Sequence, residues 1–384
     1  MKPLALSSIR LQNLSKVLDL LTLSPAMTRL DLADATALSQ MTVTNLVELL
    51  KKQGVLRLTS VPRDEASRHT LGRKAEAISL CGDRNAWLEV NISSRQFSMK
   101  LLGFDLALLL EIHDDHQGEY LPRLESFLQE SRPKVLTALG DRELLGVAIV
   151  TPGPYEISSD TVSNQRLPEL NGVQIKELFR RCLGPYEYYV DEDVKFAVRA
   201  FSDLTAQNHC EVLYYLFIGE GVGGAAVHGG NMLRGLNATA GDAGQLTGDA
   251  SSTFESRLST ETFLGKLGIT EPVSAEKLPS LLEAIAAEHP QRFNAALDEM
   301  AAVTAEMLHS VLWLLDPTHI IIDCIYARPA GDAFVQATER HLRRLFQAEN
   351  RLLPQILPCQ PGVSSVLRGA VSVLQRAWLE RLLT

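Results

Sequence analysis

Apolar residues recur at helical spacing in two stretches at the start of the chain. The first stretch has one apolar side, made of Ile9, Leu11, Leu14, Val17, Leu18 and Leu21. In the second, Thr28 and Asp31 form a capping signal for a short helix over residues 29–36. A turn is expected at residues 37–38. The pattern therefore predicts two helices, of which the second leads through a turn into a third.

The third predicted helix has a polar side opposite an apolar stripe. Ser39 caps its start and Gly54 provides a left-handed stop after its end. The stripe consists of Val43, Leu46, Val47 and Leu50. The side chains off the stripe include Gln40, Met41, Thr42, Thr44 and Asn45. Amides and hydroxyls at the start of such a helix suit base edges and phosphates in a DNA major groove, so we predict that these five residues contact DNA.

Two strand-like segments, residues 55–59 and 77–80, flank a polar loop. Its basic residues include Arg63, Arg68, Arg73 and Lys74. This layout is typical of a winged helix-turn-helix, in which a basic wing reaches the DNA backbone or the minor groove. A plain helical hairpin in an α-rich protein is the alternative, but it assigns no role to the first helix or to the basic loop. We therefore predict a DNA-binding domain over residues 1–80.

Strands and helices alternate from about residue 86 onward. The predicted strands cover residues 87–92, 96–102, 107–112, 144–150, 187–190, 212–218 and 320–323. The predicted helices cover residues 120–136, 173–182, 193–206, 253–264, 290–315, 331–346 and 363–382. This alternation indicates an α/β body.

Charge and composition agree with a DNA-binding head on an acidic body. The 384 residues are 46% hydrophobic, enough for two or three domains. Residues 1–80 carry 11 Lys and Arg against 7 Asp and Glu, whereas the whole chain carries 37 against 46. Five scattered cysteines argue against disulfides and against a cysteine metal site. With no apolar leader or long apolar run, we expect a cytoplasmic protein that does not enter a membrane.

A glycine-rich run over residues 217–245 is the most specific stretch of the body. Its glycines allow close approach of the backbone to a ligand or to a neighbouring strand. The run resembles the signature of the ROK family of repressors, uncharacterised reading frames and sugar kinases. Similar matches to that family occur at residues 146–154, 190–194 and 368–370. In its regulator branch, a winged helix-turn-helix precedes a sugar-kinase-like body.

The resemblance implies an α/β fold in which an N-terminal winged helix-turn-helix precedes a two-lobed actin-like, ribonuclease H-like sugar-kinase fold. The first lobe would span residues 86–200 and be completed by the terminal helix, residues 363–384, and the second would span residues 201–362. Sugar binds between the lobes in this family. The implied ligand-binding residues are Asn171, Asp193, Asp242, Gln245 and Glu255. Asp193 occupies the place of the kinases' catalytic base.

Departures from the family pattern indicate lost cofactor sites. The kinases' Asp-x-Gly-Gly-Thr phosphate loop is replaced by residues 91–95, with Ser93 and Ser94 where the glycines stand. A second glycine-rich loop is replaced by residues 323–326. Gln245 stands where the family has a zinc-binding histidine. Residues 248–255, where the family has its zinc-binding cysteines, contain no cysteine. We therefore expect no nucleotide cofactor and no metal.

The sequence predicts a transcriptional regulator, a repressor by default, that binds double-stranded operator DNA as a homodimer or higher homo-oligomer. A sugar or sugar phosphate is the expected effector, sensed by a catalytically inactive body. Two alternatives stay open. The body could be a protein-docking scaffold without a small ligand. It could also be an active ATP-dependent sugar kinase, which Asp193 favours and Ser93, Ser94 and Asp323 oppose.

Overall fold

The computed structural model describes residues 6–24, 26–60, 76–94, 96–115, 118–163, 167–201, 211–249, 252–274, 276–347, 351–359 and 364–384. The chain forms two compact units. The first unit consists of residues 1–192 together with residues 370–384, and the second unit consists of residues 193–369.

The first unit begins with three helices and a two-stranded antiparallel sheet. They are α1 (Leu6–Leu23), α2 (Arg29–Thr36), α3 (Gln40–Lys52), β1 (Leu56–Ser60) and β2 (Glu76–Leu80). In the sheet, Leu58 of β1 pairs with Ile78 of β2. The apolar stripe predicted for α3 is buried, and that of α1 is buried from Leu14 onward, whereas Ile9 is exposed. Val17, Val43 and Ile78 are fully inaccessible to solvent. The three helices and both strands therefore agree with the sequence pattern.

Local caps explain where α2 and α3 begin and end. The hydroxyl of Thr28 accepts a hydrogen bond from the backbone amide of Asp31. The carboxylate of Asp31 in turn accepts a hydrogen bond from the backbone amide of Thr28, so both amides at the helix start have partners. Ala37 ends α2 in the left-handed conformation, with φ of 56°. Ser39 caps α3 by accepting the amide of Thr42. Gly54, with φ of 71°, provides the turn that leads into β1.

A five-stranded mixed sheet forms the rest of the first unit. Its strands are β3 (Asn85–Ile92), β4 (Phe97–Gly103), β5 (Leu108–Asp114), β6 (Glu143–Thr151) and β9 (Tyr188–Glu192), in the order β5-β4-β3-β6-β9. β3, β6 and β9 are parallel, whereas β4 and β5 are antiparallel to their neighbours. A small hairpin consists of β7 (Tyr155–Glu156) and β8 (Thr161–Val162). Helices α4 (Tyr120–Leu139) and α5 (Ile175–Leu183) supply buried residues to the same core as the sheet.

The second unit is built on another five-stranded sheet, preceded by α6 (Asp193–Arg199). Its strands are β10 (Val212–Ile218), β11 (Val222–His228), β12 (Asn231–Met232), β15 (His319–Cys324) and β16 (Gln355–Pro358), in the order β12-β11-β10-β15-β16. A two-stranded pair consists of β13 (Thr247–Asp249) and β14 (Ser252–Thr253). The later helices are α7 (Phe254–Leu258), α8 (Thr260–Lys266), α9 (Leu278–Glu288), α10 (Pro290–Leu315) and α11 (Ala333–Leu345). Short 3-10 helices are Pro168–Leu170 in the first unit, and Ala243–Gln245 and Ile325–Ala330 in the second. The last helix, α12 (Ser365–Leu383), contributes its residues from Ala370 onward to the first unit.

The structure corrects the predicted elements in the second unit at several points. The helix expected over residues 193–206 ends at Arg199. The single helix expected over residues 253–264 is two helices, because the side chain of Ser259 accepts the amide of Thr262 and starts a new helix. Helix α9 was not predicted, and neither were the strands β11, β12, β13, β14 and β16. The glycines of β11 conceal its strand pattern; a Cβ at Gly224 would collide with the hydroxyl of Tyr214 and the carbonyl of Gly241.

No helix in the described part of the chain combines the length and the hydropathy that a bilayer-crossing segment needs.

Candidate functional site

The five α3 residues predicted to face DNA all lie on the surface of its first two turns. Gln40, Met41 and Asn45 are exposed, and 71% of Met41 is accessible. Thr42 and Thr44 are half-buried and make local hydrogen bonds: the hydroxyl of Thr42 lies 2.9 Å from that of Ser39, and Thr44 donates to the carbonyl of Gln40 at 2.8 Å. The surface thus presents two amides and one thioether to solvent.

Arg29 ties this helix to its neighbours. Its guanidinium lies 3.2 Å from the carboxylate of Glu48 on α3 and 2.7 Å from that of Glu76 on β2. One side chain at the start of α2 therefore connects α3 with the two-stranded sheet. Sequence reasoning missed this role, because ion pairs between residues so far apart leave no periodic signal.

The basic wing residues predicted from the sequence, Arg63, Arg68, Arg73 and Lys74, lie outside the described residues. The two strands that bracket them, β1 and β2, are described and pair in register from Leu56 with Leu80 to Ser60 with Glu76.

Three contacts connect residues 53–57, which lead from α3 into β1, to residues 81–85, which lead into β3. The amide of Cys81 donates to the carbonyl of Val55 at 2.9 Å. The side-chain amide of Asn85 donates to the carbonyl of Gln53, the residue that ends α3. Nearby, Arg57 and Asp83 form an ion pair of 2.7 Å. The end of α3 is thus held by the first strand of the larger sheet.

In the second unit, three of the five predicted ligand residues lie close enough for their charges to interact. Asp193 is the first residue of α6, Asp242 precedes the 3-10 helix Ala243–Gln245, and Glu255 lies on α7. The charges of Glu255 and Asp193 both act on the carboxylate of Asp242. Glu255 accepts the amide of Val222 at 3.3 Å, and Asp193 accepts the amide of Val194 at 2.6 Å. We call Asp193, Asp242 and Glu255 the carboxylate cluster.

One cation is buried beside the carboxylate cluster. Lys195 is 1% exposed, and its ammonium donates to the carbonyl of Ala238. Its positive charge acts on both Asp193 and Asp242. Sequence reasoning missed Lys195. The available signal was a single charged residue between apolar neighbours, Val194 and Phe196, on a helix whose other residues from 194 to 198 are all buried and apolar.

Burial makes Asp193 and Asp242 hold their protons more tightly than free carboxylates do. It raises the pKa of Asp242 to about 6, helped by the negative charges of Glu255 and Asp193 and opposed by the amide of Gly244 and by Lys195. Burial also raises the pKa of Asp193. Within the described residues, one carboxylate oxygen of Asp242 is buried without a hydrogen-bond partner. Such an oxygen can accept a hydrogen bond from a ligand hydroxyl.

The other two predicted ligand residues are placed differently. Gln245 ends the 3-10 helix that follows Asp242, and its side chain is exposed. Asn171 belongs to the first unit, where it is exposed and follows the 3-10 helix Pro168–Leu170.

The segment at the place of the kinase phosphate loop is a closed turn. The amide of Ser93 donates to the carbonyl of Gln96 at 3.2 Å, and its hydroxyl donates to the same carbonyl at 2.7 Å. The amide of Gln96 in turn donates to the hydroxyl of Ser93 at 3.0 Å. The amides of Ser93 and Gln96 are therefore used within the turn. A phosphate would have to compete with these internal bonds.

The segment at the place of the second glycine-rich loop carries a carboxylate. Asp323 ends strand β15 next to Cys324 and accepts hydrogen bonds from the hydroxyl of Tyr215 at 2.8 Å and from that of Ser365 at 3.5 Å. Arg328 lies 3.4 Å from its other oxygen. Burial and the charge of Asp323 raise the pKa of Tyr215 well above its usual value. A buried carboxylate at this position would repel phosphate oxygens.

Among the residues that the structure describes, no group of three or more His, Cys, Asp or Glu side chains has a geometry suited to a metal ion. The buried Cys81, Cys182 and Cys324 are free thiols.

The model of the ROK family matches residues 134–377. No curated protein matches the sequence significantly. Among solved structures, a ROK family transcriptional regulator, a homologue of the E. coli MLC protein, has a TM-score of 0.65 at 17% identity, with 98% of each chain covered.

Two further structures share the body. A ROK family protein from Streptococcus pneumoniae, in complex with sucrose, has a TM-score of 0.59 at 20% identity and covers 76% of this chain with 98% of its own. A ROK family glucokinase from Streptomyces griseus, in complex with glucose and AMPPNP, has a TM-score of 0.60 at 16% identity and covers 75% of this chain with 98% of its own. At these identities the likeness shows the fold alone, a mixed α/β fold of the sugar-kinase type.

Proposed function

Because the chain belongs to the ROK family, we propose that it is a DNA-binding transcriptional regulator, a repressor by default, in which a winged helix-turn-helix precedes a sugar-kinase-like body without kinase activity. It acts in the cytoplasm, where it binds operator DNA as a homodimer or higher homo-oligomer. A sugar or sugar phosphate that binds the body changes its affinity for the operator.

The observation that carries this proposal is the exposed polar side of α3. A capped helix whose first two turns present Gln40, Thr44 and Asn45 opposite a fully buried stripe has the arrangement of a recognition helix. The extent of the structural matches supports it. The regulator structure covers 98% of this chain, whereas the sucrose-bound protein and the glucokinase leave roughly a quarter uncovered.

The absence of kinase activity is proposed from both nucleotide positions. In the turn from Ser93 to Gln96, the amides of these two residues are bonded within the turn and are not available to a phosphate. Asp323 places a negative charge where the negatively charged phosphates of a nucleotide would lie. Phosphoryl transfer depends on groups that neutralise the charge of the phosphates, so both features oppose it. Asp193, which stands at the place of the kinases' catalytic base, would then bind the effector without catalysing a reaction.

The effector site is proposed at the carboxylate cluster. Three carboxylates with a buried unpartnered oxygen on Asp242 suit a ligand that offers several hydroxyl donors in defined directions, as a sugar does. Asn171 and Gln245, both exposed, are proposed as further ligand contacts. We propose that no metal or other cofactor takes part.

A docking role for the body is the second candidate, and exposed apolar side chains in the second unit favour it. Trp313 and Leu314 at the end of α10 are 57% and 74% exposed, and Leu345 and Leu352 are 44% and 93% exposed. Arg351 lies over the ring of Trp313, 4.5 Å from its centre. Aromatic and arginine side chains of this kind are common anchors in protein interfaces.

Selection of bound fragments from randomised double-stranded DNA tests the main proposal. The full-length protein should enrich one sequence, and competition with unrelated DNA at physiological salt should not displace it. Failure to enrich any sequence would exclude the DNA-binding function. Calorimetry against a panel of sugars and sugar phosphates then separates the effector model, in which a sugar binds, from the docking model, in which none does.

A further inference from the structure

We propose that α3 reads A·T base pairs, and that Met41 lies against the 5-methyl group of a thymine. The inference rests on the proposed DNA-binding function and adds the class of base pair that this helix selects. It follows from which side chains on α3 are held by the protein and which remain available to a partner.

Several polar groups on the exposed side of α3 are already engaged. The hydroxyl of Thr42 is 2.9 Å from that of Ser39, and the hydroxyl of Thr44 donates to the carbonyl of Gln40. The carboxylate of Glu48 accepts the guanidinium of Arg29 at 3.2 Å. These groups would have to exchange existing bonds for new ones in order to contact a base.

Two amides on the same side are not engaged. Gln40 and Asn45 are exposed, and neither side chain has a hydrogen-bond partner among the described residues. A carboxamide offers one acceptor and two donors in a plane. This arrangement matches the N6 donor and N7 acceptor of adenine in the major groove, which Asn and Gln bind in a bidentate manner.

Met41 is the third available side chain, and it is apolar. It is 71% exposed between the polar residues Gln40 and Thr42, in the first turn of the helix. A large apolar side chain gains nothing from water at this position. The major groove contains one apolar group, the 5-methyl of thymine, and a flexible thioether can pack against it.

This surface has no available side chain of the kinds that most often recognise G·C pairs. Arginine and lysine are the commonest partners of guanine, and the first basic residue along α3 is Lys51, near its end. Cytosine offers a donor that a carboxylate can accept, but Glu48 is held by Arg29. The available groups therefore favour an A·T run in the half-site beneath the first two turns.

The test uses base analogues with the full-length, unaltered protein. Once selection has given a binding sequence, each thymine in a half-site is replaced in turn by deoxyuridine, which lacks only the 5-methyl group, and binding is measured by fluorescence anisotropy. We expect one thymine at which deoxyuridine weakens binding about fourfold, the effect of one buried methyl group. Replacement of adenine by 7-deazaadenine should weaken binding at one or two neighbouring pairs.

The variant Met41→Ala identifies the residue responsible. It should bind the thymine sequence less well than the unaltered protein and should show no further loss with deoxyuridine. Leu236→Ala, which removes a 91% exposed leucine in the second unit, is the matched control and should retain the deoxyuridine effect. Both residues are exposed, so neither change disturbs a core.

The outcomes separate this inference from the function on which it depends. No enriched sequence would overturn the DNA-binding proposal itself. An enriched sequence that is insensitive to deoxyuridine throughout, or that retains its sensitivity in Met41→Ala, would overturn the A·T inference and leave the regulator proposal standing.

Discussion

The side-chain amide of Asn85 donates a hydrogen bond to the carbonyl of Gln53, 3.4 Å away. Gln53 ends α3 and Asn85 begins β3, so this bond joins the proposed recognition helix to the central strand of the larger sheet in the same unit. Asn85 is buried, with 6% of its surface exposed. The contact links the end of α3 directly to the sheet.

Removal of this bond should cost stability because Asn85 is buried. Asn85→Ala should lower the free energy of unfolding by about 1 kcal/mol, the usual contribution of a hydrogen bond whose loss leaves a shielded carbonyl without a partner. Asn231→Ala is the matched control, since Asn231 makes an amide-to-carbonyl bond of the same 3.4 Å length at an exposed position. Urea titration measures both. Equal losses in the two variants would contradict the role assigned to burial.

Base contacts and phosphate contacts should respond differently to substitution. Gln40→Ala or Asn45→Ala should reduce operator binding by about 1–3 kcal/mol per lost base contact and relax the sequence preference. Arg73→Ala or Lys74→Ala, in the proposed wing, should weaken binding to all sequences and reduce its salt dependence. Titrations at several salt concentrations distinguish the two classes. Undiminished operator affinity in all four variants would exclude the assignment of α3.

The purified protein should not consume ATP in the presence of sugars. The physical reasons are the closed Ser93–Gln96 turn and the carboxylate of Asp323. A coupled assay over a sugar panel measures this directly, with an active sugar kinase as positive control. Sugar-dependent turnover on the order of 1 per second or faster would show that the body is an enzyme.

Changes in the carboxylate cluster should separate sensing from DNA binding. Asp193→Ala and Glu255→Ala should leave operator affinity close to that of the unaltered protein and abolish its response to the effector. A typical coupling of roughly 1–3 kcal/mol corresponds to a change of about 5- to 150-fold in operator affinity at saturating ligand. A sugar that acts equally on the unaltered protein and both variants would place the effector site elsewhere.

Stability should fall as the pH rises through the titration of Glu89. Burial raises the pKa of Glu89 from 4.5 to about 7, with a further contribution from Glu111 and opposition from Lys100. Below pH 4.5 the group is protonated in both the folded and the unfolded state, so it has no effect. Between pH 4.5 and 7 only the unfolded state ionises, and above pH 7 the full cost of about 3 kcal/mol is present.

Glu89→Gln removes this cost. The variant should match the unaltered protein at pH 4 and exceed its free energy of unfolding at pH 8 by up to about 3 kcal/mol. Lys100 keeps a partner in the variant, because Glu111 lies 3.5 Å from it. Urea titrations at the two pH values provide the measurement. An equal difference at both would show that packing, rather than ionisation, sets the effect.

The sequence was most informative where local chemistry decides the structure. The start of α2 follows from the cap at Thr28, and the 26 residues of α10 follow from one long apolar pattern. It was least informative where distant residues decide. Strand β11 pairs with β10 and places Gly224 close to the hydroxyl of Tyr214 and the carbonyl of Gly241, contacts that no short-range pattern reveals.

In the candidate site, too, the sequence revealed local features but not contacts between distant residues. Family resemblance located Asp193, Asp242 and Glu255 along the chain, but it gave no indication that Lys195 would be buried beside them. A lysine on a short helix usually reaches solvent. Only the folded backbone shows that the carbonyl of Ala238 lies within reach of its ammonium.

The return of α12 to the first unit has a consequence for how the protein is made. Trp378 packs against Phe104 with ring centres 5.3 Å apart, and Arg381 donates to the carbonyl of Leu145. Residues 1–192 leave the ribosome while the whole second unit is still to be translated, a delay on the order of ten seconds or more at ordinary rates of synthesis. During that interval the surface around Phe104 and Leu145 lacks its covering helix, so the nascent chain exposes an apolar face on which a chaperone could act until residues 370–384 arrive.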